Sequence, residues 1–216
     1  MKISLHPALR YFLAFFLLYS ALVGISLIPR VGFFCNALYQ GPTEPILQSL
    51  FSKAYLQLKT DEVNPDILRI EFASKAQVEA QMAQAREGSQ RSFMVKGLNT
   101  EVQFYNLFLT FYLFFVVLLV LSPLGIWGKI GRLLVGTVIY YFYTVFKIWL
   151  QLMSTFNEPE IAIYNTGELS LRIIRSTLSG MTLGINILFV LVLWILLVFN
   201  KDNWSAFMQK VAKIRS

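Results

Sequence analysis

Charged residues, cysteine and histidine are scarce in this chain, and each scarcity excludes a class of protein. Only 14% of its 216 residues are charged, whereas a soluble globular domain carries about a quarter. Hydrophobic residues make up 56%, and the mean hydropathy is +0.58. This composition is typical of an integral membrane protein.

The single cysteine and the single histidine exclude most sites built from thiols or imidazoles. Cys35 has no second cysteine with which to form a disulfide bond or a CxxC motif. His6 stands alone in the N-terminal leader, and the HExxH, GxSxG, P-loop and GxGxxG motifs are absent from the sequence. We therefore predict a protein that is not an enzyme and has no catalytic residue, no cofactor and no metal site.

Four apolar runs are long enough to cross a bilayer, whose hydrocarbon core of about 30 Å needs roughly 20 residues of helix. The first run is longer than the apolar core of a signal peptide, so we interpret it as an uncleaved anchor. The sequence thus predicts an all-α membrane protein with four transmembrane helices, at residues 11–29, 103–122, 133–153 and 178–199.

The positive charges predict the orientation of these helices. The net charge is +7, but the bases flank apolar runs and form no compact patch with aromatics, so we predict no nucleic-acid binding. Lysine and arginine in short loops accumulate on the cytoplasmic side of a membrane. We predict that the chain lies in the plasma (inner) membrane with both termini in the cytoplasm, because three basic regions would then share the cytoplasmic side. The middle region is interpreted as a loop. The regions are Lys2 and Arg10; Lys129 and Arg132; and Lys201, Lys210, Lys213 and Arg215.

The segment between the first two runs is too long for a simple connection and should have structure of its own. Alternating apolar residues predict strands at 55–60 and 66–72, with FMVK at 93–96 as a third. A short helix is predicted after Ser74, which has Gln77 in capping-box spacing. The chain therefore divides into a cytoplasmic leader with the first helix (1–30), an extracytoplasmic α+β insertion (31–102), a three-helix bundle (103–200) and a basic tail (201–216), and the loop 154–177 is also placed outside.

Polar residues recur at helical spacing inside the runs and predict faces that meet protein rather than lipid. Lys147 lies near the outer end of the third run, where it either snorkels to the interface or makes a specific contact. Small residues at steps of four in the fourth run, Ser176, Gly180 and Gly184, predict close helix packing. The predicted polar face comprises Gln103, Asn106, Thr110, Thr137, Tyr140, Thr144, Lys147 and Gln151.

Residues 99–199 resemble the C-terminal half of the exosortase/archaeosortase membrane transpeptidases. NTEVQFYNLFLTFYLFF, the basic segment GKIGRLLVG, YTVFKIWLQL, an outer loop and VLVLWILLVFN follow one another in the order of that family. The family has a catalytic cysteine where this chain has Asn99 and Thr100, an arginine where it has Lys147, and a histidine in an outer loop that has none here. The resemblance implies a relative without the catalytic residues, or an accessory protein of such a system.

Two functions remain open from the sequence. The first is a non-enzymatic accessory or scaffold protein of envelope sorting or polymer export, whose partners are the lipid bilayer and a membrane or envelope protein. The second is a small transporter or lipid-handling protein that uses the polar face of the third run as a path. No predicted span carries an acidic residue, which argues against ion-coupled transport because such carriers keep an intramembrane carboxylate.

Overall fold

The computed structural model describes residues 7–61, 63–87, 98–181 and 183–199. The described chain is mostly helical and includes one small antiparallel sheet of three strands in the order β1-β2-β3. A single π-helical turn, Tyr105–Leu109, leads into the fourth α-helix. The elements are α1 (Pro7–Ser26), α2 (Pro29–Leu50), β1 (Ala54–Thr60), β2 (Ile67–Ser74), α3 (Lys75–Glu87), β3 (Leu98–Gln103), α4 (Thr110–Leu121), α5 (Ile126–Phe156), α6 (Glu168–Gly180) and α7 (Leu183–Val198).

Two of the described helices are long and apolar enough to cross a membrane. They are α1, through its segment Leu9–Ser26, and α5, and a third candidate arises if α6 and α7 are counted together as one span. The apolar helix Tyr105–Leu121 is shorter than either of the two. The structure therefore supports two or three membrane helices, and the predicted count of four stays a prediction.

The described residues belong to two compact units, and α5 contributes to both. The apolar unit takes its described residues from Met1–Leu27, Phe108–Thr144 and Met181–Ser216. The sheet unit takes its described residues from Ile28–Leu107 and Val145–Gly180. Each unit has its own buried core and is described separately.

In the apolar unit, aromatic and aliphatic side chains of α4, α5 and α7 form the core. Phe115, Tyr140 and Val190 have no exposed surface. The α1 helix runs antiparallel to α4, because the ring of Phe15 lies 5.3 Å from that of Phe114 and Tyr19 hydrogen-bonds near the start of α4. The outward face of α5 exposes large apolar side chains, as expected of a lipid-facing surface: Leu134, Val135, Val138, Ile139 and Phe142.

In the sheet unit, the inner face of the sheet packs against α2. Leu58, Leu68 and Ile70 are buried on that face, together with Tyr39 and Leu47 of α2. The alternation of buried and exposed residues along β1 follows from the two-residue period of a strand. The sheet is therefore half-buried, with its charged and amide side chains on the opposite face.

The predicted strands at 55–60 and 66–72 are confirmed as β1 and β2, and the predicted helix after Ser74 is confirmed as α3. The third strand is β3 at Leu98–Gln103. The predicted strand at 93–96 lies outside the described residues. Gln103, predicted to open the second membrane helix, instead ends β3.

One other prediction was wrong, and one helix was not predicted. The basic residues Lys129 and Arg132 are not in a loop, because α5 begins at Ile126 and the turn before it is short. The segment Pro29–Leu50, for which no helix was predicted, forms α2. Pro29 stands in the first turn of α2, where its missing N–H costs no hydrogen bond.

Candidate functional site

The two cations near the start of α5 bind the carboxyl ends of two other helices of the apolar unit. The Lys129 ammonium donates a hydrogen bond to the carbonyl of Val120, in the last turn of α4. The Arg132 guanidinium donates through Nε to the carbonyl of Leu197, in the last turn of α7, at 2.5 Å. The last carbonyls of a helix lack intrahelical partners and carry partial negative charge. Lys129 and Arg132 therefore stabilise the ends of α4 and α7.

Polar side chains inside the apolar unit pair with one another across its helices. The hydroxyls of Tyr112 and Thr137 lie 2.9 Å apart, and the Tyr143 hydroxyl donates to Oδ1 of Asn186 at 2.8 Å. A further bond runs from Trp194 Nε1 to the hydroxyl of Ser122, at 2.9 Å. These bonds tie α4 to α5, α5 to α7 and α7 to the turn after α4.

On α5, the predicted polar residues lie on its inner side in the apolar unit. Tyr140 and Thr144 have no exposed surface. The Tyr140 hydroxyl donates to the carbonyl of Phe108 at 3.3 Å, and the Thr144 hydroxyl donates to the carbonyl of Tyr141 in its own helix. Two further predicted residues of α5, Lys147 and Gln151, belong to the sheet unit and are half-buried.

The predicted polar residues before α4 do not lie on one regular helix. Gln103 ends β3, Asn106 lies in the π-helical turn, and Thr110 begins α4. The Asn106 amide donates to Oε1 of Gln103 at 2.5 Å. The carbonyl of Thr110 accepts a bond from the Tyr19 hydroxyl at 3.5 Å. Sequence spacing alone could not show the change from strand to helix between these residues.

The predicted small-residue face is divided between two helices. Ser176 and Gly180 belong to α6, whereas Gly184 belongs to α7. Apart from the neighbouring residues and the backbone of its own helix, no described atom lies within 4 Å of the position that a Cβ on Gly180 would occupy. In the apolar unit, Gly136 of α5, which the sequence analysis missed, does permit close packing: a Cβ there would lie 2.2 Å from the ring of Phe115.

In the sheet unit, a row of polar side chains on α2 covers the free edge of β1. Gln40, Glu44 and Gln48, which we name the edge clasp, follow one another at steps of four. The backbone N–H of Leu58 donates to Oε2 of Glu44 at 3.1 Å. The Gln40 amide donates to the carbonyl of Leu58, and the Gln48 amide donates to the carbonyl of Leu56 at 2.9 Å. The edge clasp thus takes the place of a fourth strand.

A groove of about 570 Å³ lies beside the edge clasp in the sheet unit. The carboxylate of Glu44 and the amide of Gln48 lie at it, with Glu71 and Asn99 from neighbouring strands. The Glu71 carboxylate is paired with Lys59 at 2.6 Å. Apolar side chains, among them Leu56 and Phe72, complete the lining. The lining is therefore mixed, and its polar groups are committed in part to bonds within the unit.

Two groups of the sheet unit that lie outside the candidate membrane helices, Cys35 and Asp61, have a shifted pKa, and neither resembles a catalytic group. Burial raises the pKa of the Cys35 thiol, which leaves it less reactive as a nucleophile. The backbone N–H groups of Asn64 and Val63, in that order, lower the pKa of Asp61, and Arg69 adds to the effect. These bonds shape the turn between β1 and β2. Among the residues that the structure describes, no three His, Cys, Asp or Glu side chains are grouped to hold a metal ion.

No protein-family model, no curated protein sequence and no solved structure matches the chain. The resemblance to exosortases therefore rests on the order of the apolar and basic segments.

Proposed function

We propose that the chain is a non-enzymatic integral membrane protein that serves as an accessory or scaffold subunit in envelope protein sorting or polymer export. In this proposal four spans cross the plasma (inner) membrane, both termini lie in the cytoplasm, and residues 31–102 and 154–177 of the sheet unit lie outside. The observation that carries the proposal is the pairing of polar groups inside the apolar unit. Tyr143 bonds to Asn186 and Tyr112 to Thr137, so these groups hold helices together.

The same observation counts against the alternative, a transporter or lipid-handling protein with a path along α5. A path needs polar groups that face water or a passing ligand, as they do in characterised carriers. Here the ring of Tyr143 stacks on Phe189 with a centroid separation of 3.9 Å, and the ring of Tyr140 contacts those of Phe108 and Tyr112. Aromatic rings occupy the space beside the polar face of α5.

The arrangement of helix ends in the apolar unit supports the proposed orientation. The end of α4, the start of α5 and the end of α7 meet where Lys129 and Arg132 make their bonds. The start of α1 lies at the same end, because α1 runs antiparallel to α4. All three basic regions of the sequence then adjoin one side of the membrane, as the positive-inside rule requires.

Reporter fusions test this orientation. We expect an alkaline phosphatase fused after Gly88 or Asn165 to be active, because both positions lie outside in the proposed topology. A green fluorescent protein fused after Gly125 or at the C-terminus should fluoresce, because both positions lie in the cytoplasm. Activity and fluorescence are normalised to fusion abundance, and swapping the two reporters at each position is the control. A fluorescent fusion after Gly88 would contradict the topology.

Lys147 tests the accessory role against simple snorkelling. We expect Lys147→Met to reduce recovery of the partner protein without lowering membrane abundance, because it removes a half-buried cation. Lys147→Arg should be tolerated, since it keeps the charge and supplies the residue that the resembling family has there. The measurement is crosslinking and pull-down of the tagged chain, with recovered partner quantified by mass spectrometry. If Lys147→Met and the wild type recover equal amounts of the partner, Lys147 only snorkels to the interface and does not contribute to partner binding.

A further inference from the structure

The helix α6 has an exposed aliphatic face that is not used inside the sheet unit. Leu169 is 74% exposed and Ile173 is 59% exposed, and they lie four residues apart on one side of the helix. Ile174, which is buried, faces away from this side and holds α6 to the unit. Burial of α6 within the unit therefore does not account for Leu169 and Ile173.

Arginines border this aliphatic face. With 3.6 residues per turn, Arg172 lies about 80° from the midpoint of Leu169 and Ile173, and Arg175 lies further round in the same direction. The side chain of Arg172 is 78% exposed, and its bond to Glu168 is 3.3 Å long and also exposed. An exposed pair of this kind contributes little energy, so the guanidinium is able to exchange Glu168 for another anion.

The helix α7 follows α6 closely in the sequence. The helix α6 ends at Gly180, and α7, which is wholly apolar apart from Asn186, begins at Leu183. The two helices pass the length test for a span only when they are counted together. In the proposed topology α7 is the part that crosses, so the C-terminal end of α6 lies within a few residues of the headgroup region. An amphipathic helix at that depth buries its aliphatic side chains at the acyl boundary and keeps cationic side chains among the headgroups.

We infer that α6 is an interfacial helix that lies in the headgroup region of the chain's own membrane, with Leu169 and Ile173 in the acyl boundary and Arg172 and Arg175 at lipid phosphates. Guanidinium groups form paired hydrogen bonds with phosphate oxygens. The interaction anchors the sheet unit to the bilayer surface. The assignment of α6 to the outer leaflet rests on the proposed topology, and its depth rests on α7 being a span in that topology.

Site-directed spin labelling is straightforward, because only one native cysteine, Cys35, must be removed. In the full-length chain carrying Cys35→Ser, we expect a nitroxide at Ile173→Cys to collide more often with oxygen than with a water-soluble nickel chelate in vesicles of phosphatidylcholine and phosphatidylglycerol. The label at Ser179→Cys, on the arginine side of α6, should show the reverse. Replacing both Arg172 and Arg175 by Gln should shift the label at residue 173 towards the chelate in these anionic vesicles.

Two outcomes would overturn the inference. Preferential collision of the residue 173 label with the chelate would place the aliphatic face in water. Immobilisation of that label with protection from both reagents would show that protein covers the face, either a second copy or a partner. Labelling of Ser179→Cys by a membrane-impermeant maleimide reports the side of the membrane separately, so a wrong topology is distinguished from a wrong depth.

Discussion

Replacing Gly136 by valine is expected to destabilise the apolar unit by about 3 kcal/mol or more, near the upper end of the cost of overpacking a core. A Cβ at this position would lie 2.2 Å from Cζ and 2.6 Å from Cε1 of Phe115, and 3.1 Å from Cδ1 of Leu197. Phe115 has no exposed surface, so its ring has no empty space into which to move. The measurement is the midpoint of thermal unfolding of the purified chain in detergent, followed by size-exclusion chromatography.

Gly131 on the same helix provides the matched control. Apart from the neighbouring residues and the backbone of α5 itself, no described atom lies within 4 Å of a Cβ placed there, so Gly131→Val introduces the same side chain into α5 without the collision. Its unfolding midpoint should stay close to that of the wild type. Adding Phe115→Leu to Gly136→Val should recover part of the lost stability, because the smaller side chain vacates the contested space. Equal midpoints for the two valine variants would refute the close packing of α5 against α4.

The sequence predicted those elements whose residue pattern follows from local structure alone. The strands β1 and β2 were predictable because their inner residues alternate with polar ones, and one face of the sheet is buried. Asp61 and the residues after it predicted the turn between them, since their side chains bond to nearby backbone N–H groups. Local chemistry decides each of these features.

Other features depend on contacts between residues far apart in the chain. Gly136 and Phe115 meet across two helices, and nothing near Gly136 in the sequence marks it as different from Gly131. Arg132 resembled a loop residue because a cation interrupts an apolar run, yet it bonds to Leu197, 65 residues away. Hydropathy indicates where membrane helices lie but not where each begins, and for this reason the start of α5 was missed.

The helix α2 was missed for a different reason. Pro42 and Pro45 lie inside it, and proline in a helix interior normally removes a hydrogen bond and disfavours the helix. The polar residues at 40, 44 and 48 have helical spacing, but their bonding partners lie on β1, which the spacing alone does not reveal. Tertiary bonds to the strand explain the pattern and offset the weak helical propensity of the segment.

The edge clasp leads to the second large effect. We expect Glu44→Leu to destabilise β1 by about 1–3 kcal/mol, the cost of leaving a buried backbone donor unsatisfied, because the N–H of Leu58 loses its acceptor. Leu58 is 1% exposed, so water cannot easily replace the carboxylate. Adding Gln48→Leu should increase the loss, since the carbonyl of Leu56 then also loses its donor. Hydrogen–deuterium exchange of the full-length protein measures the effect as faster exchange of the β1 peptide.

Two single variants separate the clasp from a general effect of leucine. Glu44→Gln keeps a side-chain oxygen at the same position and should retain most of the protection of Leu58, because the oxygen can still accept the bond from its N–H. Gln57→Leu places leucine on β1 itself, but on the exposed outer face, and should leave the exchange of the strand near its original rate. If the β1 peptide exchanges equally slowly in the Glu44→Leu and Gln57→Leu variants, the edge of the strand does not need the edge clasp. If only Glu44→Leu accelerates exchange, the edge clasp satisfies the backbone groups at the free edge of β1. It then also keeps this edge from pairing with another chain.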